Sequence, residues 1–87
     1  MLTFETAAAE CGIVAIIRGI TLDEVAGVGD ALYEAGIRIV EVPLNSPEPF
    51  RSIAALAAAL TLRMVGGAGT VLDVDSVDRA KSAGGTI

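Results

Sequence analysis

Glu41 stands inside the apolar stretch 36-GIRIVEVPLNSP-47, where a charge needs a physical reason. An ionised carboxylate taken out of water is costly unless it is paired or hydrogen-bonded. Two readings are open. Glu41 is either a structural partner of an arginine such as Arg18, or an acid/base group set among apolar neighbours. Arg18 itself closes an earlier apolar run, 13-IVAII-17, and is followed by Gly19. A guanidinium there either faces water or holds an anion. Asn45 lies in the turn after Glu41, where asparagine is ordinarily a turn residue. Gly69 and Thr70 follow a third apolar run, and a glycine there either frees the chain to turn or lets a ligand approach the backbone.

Other chemistries lack their residues. Gly67-Ala68-Gly69 begins like a dinucleotide fingerprint, but the third glycine of that fingerprint is missing. The single lysine, Lys81, follows no glycine-rich loop, which excludes a Walker-type phosphate cradle. Cys11 is the one cysteine and the chain has no histidine to activate it. It reads as a small hydrophobe before a strand, and it fits a reducing cytoplasm. A net charge of −5 with six scattered basic residues gives no basic stripe for nucleic acid or an anionic membrane. The amino terminus carries Glu5 and Glu10 and no positive charge before its apolar part, unlike a secretory signal. The apolar run from Ile53 to Leu60 is too short to cross a bilayer.

Three elements must position these residues at their carboxyl ends. Ile13 to Ile17, Ile37 to Leu44 and Met64 to Ala68 are short apolar runs bounded by turn residues and read as strands, and a fourth strand begins at Thr86. Helical patterns lie between them. The first opens on Thr21-Leu22-Asp23-Glu24, a capping-box sequence, keeps Leu22, Val25, Val28, Leu32 and Ala35 on one side, and stops at Gly36. The second is expected to use Ser46 as N-cap and Pro47 as its first helical residue, and to run through Phe50, Ile53, Leu56 and Leu60. The third starts after Asp73 and ends at Gly84. Hydrophobic content of 53% with only 3% aromatic suits buried parallel strands under close-packed helices.

Strands alternating with helices imply parallel pairing, in either an open doubly wound sheet or an eight-fold barrel. Both architectures place chemistry at the carboxyl ends of the strands. Alternation along the second strand puts Ile37, Ile39, Glu41 and Pro43 on one face.

The segments Ile13-Val14-Ala15-Ile16-Ile17-Arg18-Gly19-Ile20-Thr21, Val40-Glu41-Val42-Pro43-Leu44-Asn45-Ser46-Pro47 and Gly67-Ala68-Gly69-Thr70-Val71-Leu72, in that order and spacing, resemble the amino-terminal part of the 2-keto-3-deoxy-6-phosphogluconate/phosphogalactonate aldolase family. Leu44-Asn45-Ser46 and Arg18-Gly19-Ile20-Thr21 are similar to its galactonate branch; the gluconate branch typically has Leu-Arg-Thr after the glutamate. The resemblance implies an α/β fold of the (β/α)8 TIM-barrel type, of which residues 1–87 form the amino-terminal part of one domain: about three β/α units and the start of the fourth strand.

It further implies a cytoplasmic homotrimer, with no metal or organic cofactor, acting on a small sugar-acid phosphate through a Schiff base. In that scheme Glu41 is the general acid/base, while Arg18, Asn45, Gly69 and Thr70 contact substrate. The family's imine-forming lysine and phosphate site belong to later strands and loops outside these residues, and Lys81, on a helix, is expected on the outer ring. The competing expectations are another sugar-phosphate barrel, such as an epimerase, and an inactive truncated α/β fragment.

Overall fold

The computed structural model describes residues 3–60 and 63–86. In chain order it contains helix α1 (Phe4–Glu10), strand β1 (Val14–Ile16), helix α2 (Leu22–Glu34), strand β2 (Ile39–Pro43), helix α3 (Pro49–Leu60), strand β3 (Val65–Gly69) and helix α4 (Val74–Ser82). The strands form one parallel sheet in the order β1-β2-β3. Val14 pairs with Ile39 and Ile16 with Glu41. Ile39 pairs with Val65, Glu41 with Gly67 and Pro43 with Gly69.

The crossover helices explain which face is dry. Val25 of α2, Ile53, Leu56 and Leu60 of α3, and Ala80 of α4 pack with Val40 and Val42 of β2 in a single buried cluster. These three helices therefore lie on one side of the sheet, as in a barrel, whereas a doubly wound sheet carries helices on both faces. The α2–α3 contact is close because residue 29 has no side chain: a β-carbon on Gly29 would come within 2.8 Å of Leu56 Cδ2 and Leu60 Cδ1.

Helix ends follow the sequence at α2 and α4. The Thr21 backbone N–H and hydroxyl both donate to Glu24 Oε1, at 3.2 and 2.8 Å, and these bonds hold the Glu24 carboxyl below its ordinary value. Asp73 accepts from the Ser76 N–H at 2.7 Å, which lowers its pKa likewise. Gly36 and Gly84 follow the carboxyl ends of α2 and α4 with φ of 97° and 110°, the left-handed geometry that glycine adopts most readily.

Four local expectations are corrected. Helix α3 begins at Pro49, not Pro47, and Ser46 is not its cap. The reason is Glu48: a residue before proline is disfavoured in the helical region, and Glu48 sits at φ 41°, outside the helix. Strand β2 begins at Ile39, so alternation does not reach Ile37, which packs against the helix-side cluster instead of sharing the face of Ile39. Strand β3 runs from Val65 to Gly69 instead of Met64 to Ala68, so Gly69 is the last residue of the strand and not the first of the turn. Helix α1 was not expected. It is built on a Thr3/Thr6 capping box, and its Ala7 is fully buried against Ile39 and Val65 on the face opposite the other helices.

The fourth strand expected from Thr86 falls largely outside the described residues. Thr86 itself donates its N–H to Gly66 O at 2.9 Å, along the free edge of β3.

The sheet leaves apolar surface open. Ile13 and Ile16 are each 58% exposed and Val14 41%, at the edge strand β1, whose outer backbone groups pair with nothing among the described residues. An unprotected strand edge beside exposed aliphatic side chains recruits other chains. Sedimentation of the isolated 87-residue chain should therefore give species well above the monomer mass of 8.8 kDa. A sharply melting monomer would show that this surface needs no cover.

Candidate active site

Register places Val14, Ile16, Ile39, Glu41, Pro43, Val65, Gly67 and Gly69 on the face turned away from α2, α3 and α4. At its amino end this face is closed by α1, which is tethered by an ion pair of 3.5 Å between Glu10 Oε1 and Arg38 Nε. Arg38 also stacks on Tyr33, 4.1 Å from the ring centre, and Arg63 lies at 5.1 Å from the same ring. Tyr33 is thus a half-buried residue at the edge of the core. The carboxyl end of the face carries Glu41.

Glu41 is half-buried, and among the described residues its carboxylate has neither an ion pair nor a hydrogen bond. It does not pair with Arg18. That guanidinium donates through Nη1 to Asn45 Oδ1 at 2.8 Å. Arg18 is thus not the structural partner of Glu41 among the described residues: the arginine is held by a neutral amide on the next loop. The carboxylate is thus left without a polar partner among the described residues.

Gly69 determines where that carboxylate sits. A β-carbon built on Gly69 would overlap Glu41 Oε2 and Cδ, and would lie 2.8 Å from Cγ. The Glu41 side chain thus leans forward over residue 69, toward the carboxyl ends of the strands. The Gly69 carbonyl also accepts from the Leu44 N–H at 2.9 Å, which ties the ends of β2 and β3 together. Thr70 follows at φ 54°. A β-branched residue in left-handed geometry is rare and carries strain of about 1–3 kcal/mol, so the turn after Gly69 is held by its surroundings.

The predicted site residues are brought together unevenly. Arg18, Asn45, Glu41, Gly69 and Thr70 all belong to the carboxyl ends of adjacent strands or the turns that follow them. Within that group Arg18 touches Asn45, and Glu41 crowds Gly69. Ser46, which the sequence presents as a helix cap, joins this group instead. It is 5% exposed, and its Oγ accepts from the Gly19 N–H at 3.0 Å. A serine between Asn45 and Pro47 offers no signal in the sequence for a partner on another loop. Lys81 lies on α4, exposed, beside Ala68 on the helix-side face of β3 and away from Glu41. No helix among the described residues is long and apolar enough to cross a membrane.

Sequential parallel strands, crossover helices on one face and polar groups gathered at the strand carboxyl ends define this fold as a segment of a (β/α)8, or TIM, barrel. Residues 4–87 match the KDPG and KHG aldolase family, and the chain belongs to it. It is 43% identical over 75 residues to a probable 2-dehydro-3-deoxy-6-phosphogalactonate aldolase of Rhizobium meliloti (strain 1021), covering 86% of this chain and 35% of that protein. It is 46% identical over 66 residues to the 2-dehydro-3-deoxy-6-phosphogalactonate aldolase of Escherichia coli (strain K12), covering 76% of this chain and 32% of that one.

Among solved structures it superposes on a native KDPGal structure with a TM-score of 0.77 at 46% identity, over 83% of this chain and 35% of the other. The corresponding values for the 2-keto-3-deoxy-6-phosphogluconate aldolase of Zymomonas mobilis ATCC 29191 are 0.75 and 26%, over 83% and 34%. A designed cube-shaped protein cage made by fusing symmetric oligomeric domains also matches, with a TM-score of 0.77 at 46% identity over 83% of this chain and 27% of that one. The chain spans about a third of the length of the curated relatives it matches.

The crowding of Glu41 against residue 69 is testable by a thermodynamic cycle. Gly69→Ala should lower stability by about 1–3 kcal/mol, the usual effect of overpacking, and most of that loss should vanish in a Glu41→Ala background. Equal losses in the two backgrounds, read by thermal melting, would mean that Glu41 does not occupy this space.

Proposed function

We propose that this segment works as the amino-terminal third of a class I aldolase, which cleaves 2-keto-3-deoxy-6-phosphogalactonate to pyruvate and glyceraldehyde 3-phosphate. The observation that carries the reading is the unpartnered Glu41 carboxylate, held at the strand carboxyl ends by the absence of a side chain at Gly69. The galactonate assignment is supported by the identities of 43% and 46% to relatives named for that substrate, against 26% to the gluconate enzyme of Zymomonas mobilis.

In this scheme a lysine outside the segment attacks the substrate ketone and forms an iminium. Glu41 supplies and removes the protons of that addition and dehydration. It then takes the proton of the C4 hydroxyl as the C3–C4 bond breaks and its electron pair moves into the iminium. Glyceraldehyde 3-phosphate leaves, the enamine is protonated at C3, and hydrolysis releases pyruvate and restores the lysine. Arg18, exposed at the end of β1 with one N–H committed to Asn45, has further donors for an anionic or hydroxyl group of the substrate. In the same scheme the Gly69 backbone and Thr70 contact the pyruvate part of the substrate. Asn45 acts on substrate through the arginine it holds. The complete enzyme is read as a cytoplasmic homotrimer that needs no metal or organic cofactor; the oligomeric domains named for the matching cage support the assembly.

Two measurements test this. Incubation of the complete enzyme with pyruvate and borohydride should leave a stable adduct on a lysine outside residues 1–87; an adduct on Lys81, or none, would remove the Schiff base from the scheme. Glu41→Gln should lower kcat by about 10²-fold or more, the usual weight of a general acid/base, and change the melting temperature little because the amide keeps the shape. Retained turnover together with a large loss of stability would make Glu41 structural.

A further inference from the structure

Two hydrogen bonds join the turn after β1 to the turn after β2. Arg18 Nη1 donates to Asn45 Oδ1 at 2.8 Å, and the backbone N–H of the next residue, Gly19, donates to Ser46 Oγ at 3.0 Å. The two acceptors are consecutive, as are the two donors, so the turns are clasped residue against residue. They differ in burial. Arg18 and Asn45 are exposed, while Ser46 is 5% exposed and its own N–H is fixed by Pro43 O at 3.0 Å. Gly19 takes φ 78°, and the Ile20 N–H closes back on Ile17 O at 3.2 Å. The tight turn carrying Arg18 is thus seated on the Ser46 hydroxyl, and the solvent-facing Asn45 bond only orients the guanidinium.

We propose that Ser46 is a positioning residue: its buried hydroxyl, through the Gly19 N–H, sets the place of Arg18 at the strand ends and thereby the affinity of the site for an anionic group of the substrate. The role of Arg18 as the substrate's anion holder rests on the reading under Proposed function. The clasp itself does not. An exposed arginine anchored by one surface bond samples many rotamers, and its affinity for an anion depends on how little of that freedom remains to be lost. A part-buried neutral bond beneath it removes freedom from the backbone that carries it, at no electrostatic cost to the cation.

The test uses Ser46→Ala, Ser46→Thr, Arg18→Ala and the Ser46→Ala/Arg18→Ala pair in the complete enzyme. Loss of one part-buried hydrogen bond should raise KM for the sugar-acid phosphate about five- to tenfold in Ser46→Ala, with kcat within about twofold. Ser46→Thr, which keeps the hydroxyl, should restore KM. The double variant should be no worse than Arg18→Ala alone, because Ser46 acts through that arginine. Amide hydrogen exchange at Gly19 should be about tenfold faster in Ser46→Ala than in Ser46→Thr. Equal exchange in the two variants would overturn the clasp whatever the enzyme cleaves. An unchanged KM in Ser46→Ala, or a KM effect that adds fully to that of Arg18→Ala, would overturn its action on substrate. A wild-type enzyme that releases no pyruvate would refute the aldolase reading, and the exchange rates would then decide the positioning of the Arg18 turn by themselves.

Discussion

The Glu41 carboxyl group and the missing β-carbon of residue 69 claim the same volume. This exclusion depends on the parallel register that sets Pro43 opposite Gly69 and Glu41 opposite Gly67. A slip by one residue would turn Glu41 toward α3 and bring Val40 and Val42 out of the helix-side core. The core and the site are therefore specified together. Burying Val40 and Val42 under the helices fixes the register, and the register presents Glu41 to the other face above two glycines. The usual cost of glycine within a strand, lost entropy and no side chain to pack, is met here where an absent side chain is what the carboxyl group needs.

Placement alone would not keep Glu41 free. An arginine lies on the neighbouring strand end, and a buried or half-buried carboxylate beside a guanidinium ordinarily forms an ion pair. Here Asn45 and Ser46 divert the Arg18 turn toward the β2–α3 connection. The fold thus keeps a cation and an anion apart at one end of a three-stranded sheet, the separation that the proposed acid/base and anion-holding tasks require. Strain at Thr70 is in keeping with the same rigidity, since a β-branched residue in left-handed geometry persists only where its neighbours leave it no other conformation.

Much of this was legible in the sequence because it rests on short-range chemistry. Thr21 with Glu24, Asp73 with Ser76, and the glycines at 36 and 84 mark helix ends by bonds or backbone freedom within a few residues. The inward direction of Glu41 follows from strand alternation, although that alternation begins at Ile39 and does not extend to Ile37. What escaped depends on partners remote in the chain, or on one local rule outweighing another. Ser46 followed by Pro47 imitates a helix start, but Pro49 forces Glu48 out of the helical region and frees Ser46 for Gly19 on another loop. Helix α1 is only seven residues long, too short for a periodic pattern and too short to be stable alone. Its reason for existing is the contact of Ala7 with Ile39 and Val65.

The position of α1 bears on how the site is completed. It covers the amino end of the inner face and stops below Glu41, so the floor of the site is dry while its walls are open at β1 and beyond β3. In a closed barrel further strands would stand against those edges, remove the exposed Val14 and Ile16 from water, and surround Glu41 with side chains from the opposite wall. Exclusion of water would then strengthen every polar contact the carboxylate makes, since electrostatic interactions grow as the local dielectric falls. In the proposed scheme those strands also carry the imine-forming lysine, because Lys81 lies on α4 beside Ala68, on the helix side of the sheet. Positioning of the Glu41 carboxylate is thus local to this segment, whereas its final surroundings depend on closure of the barrel around it.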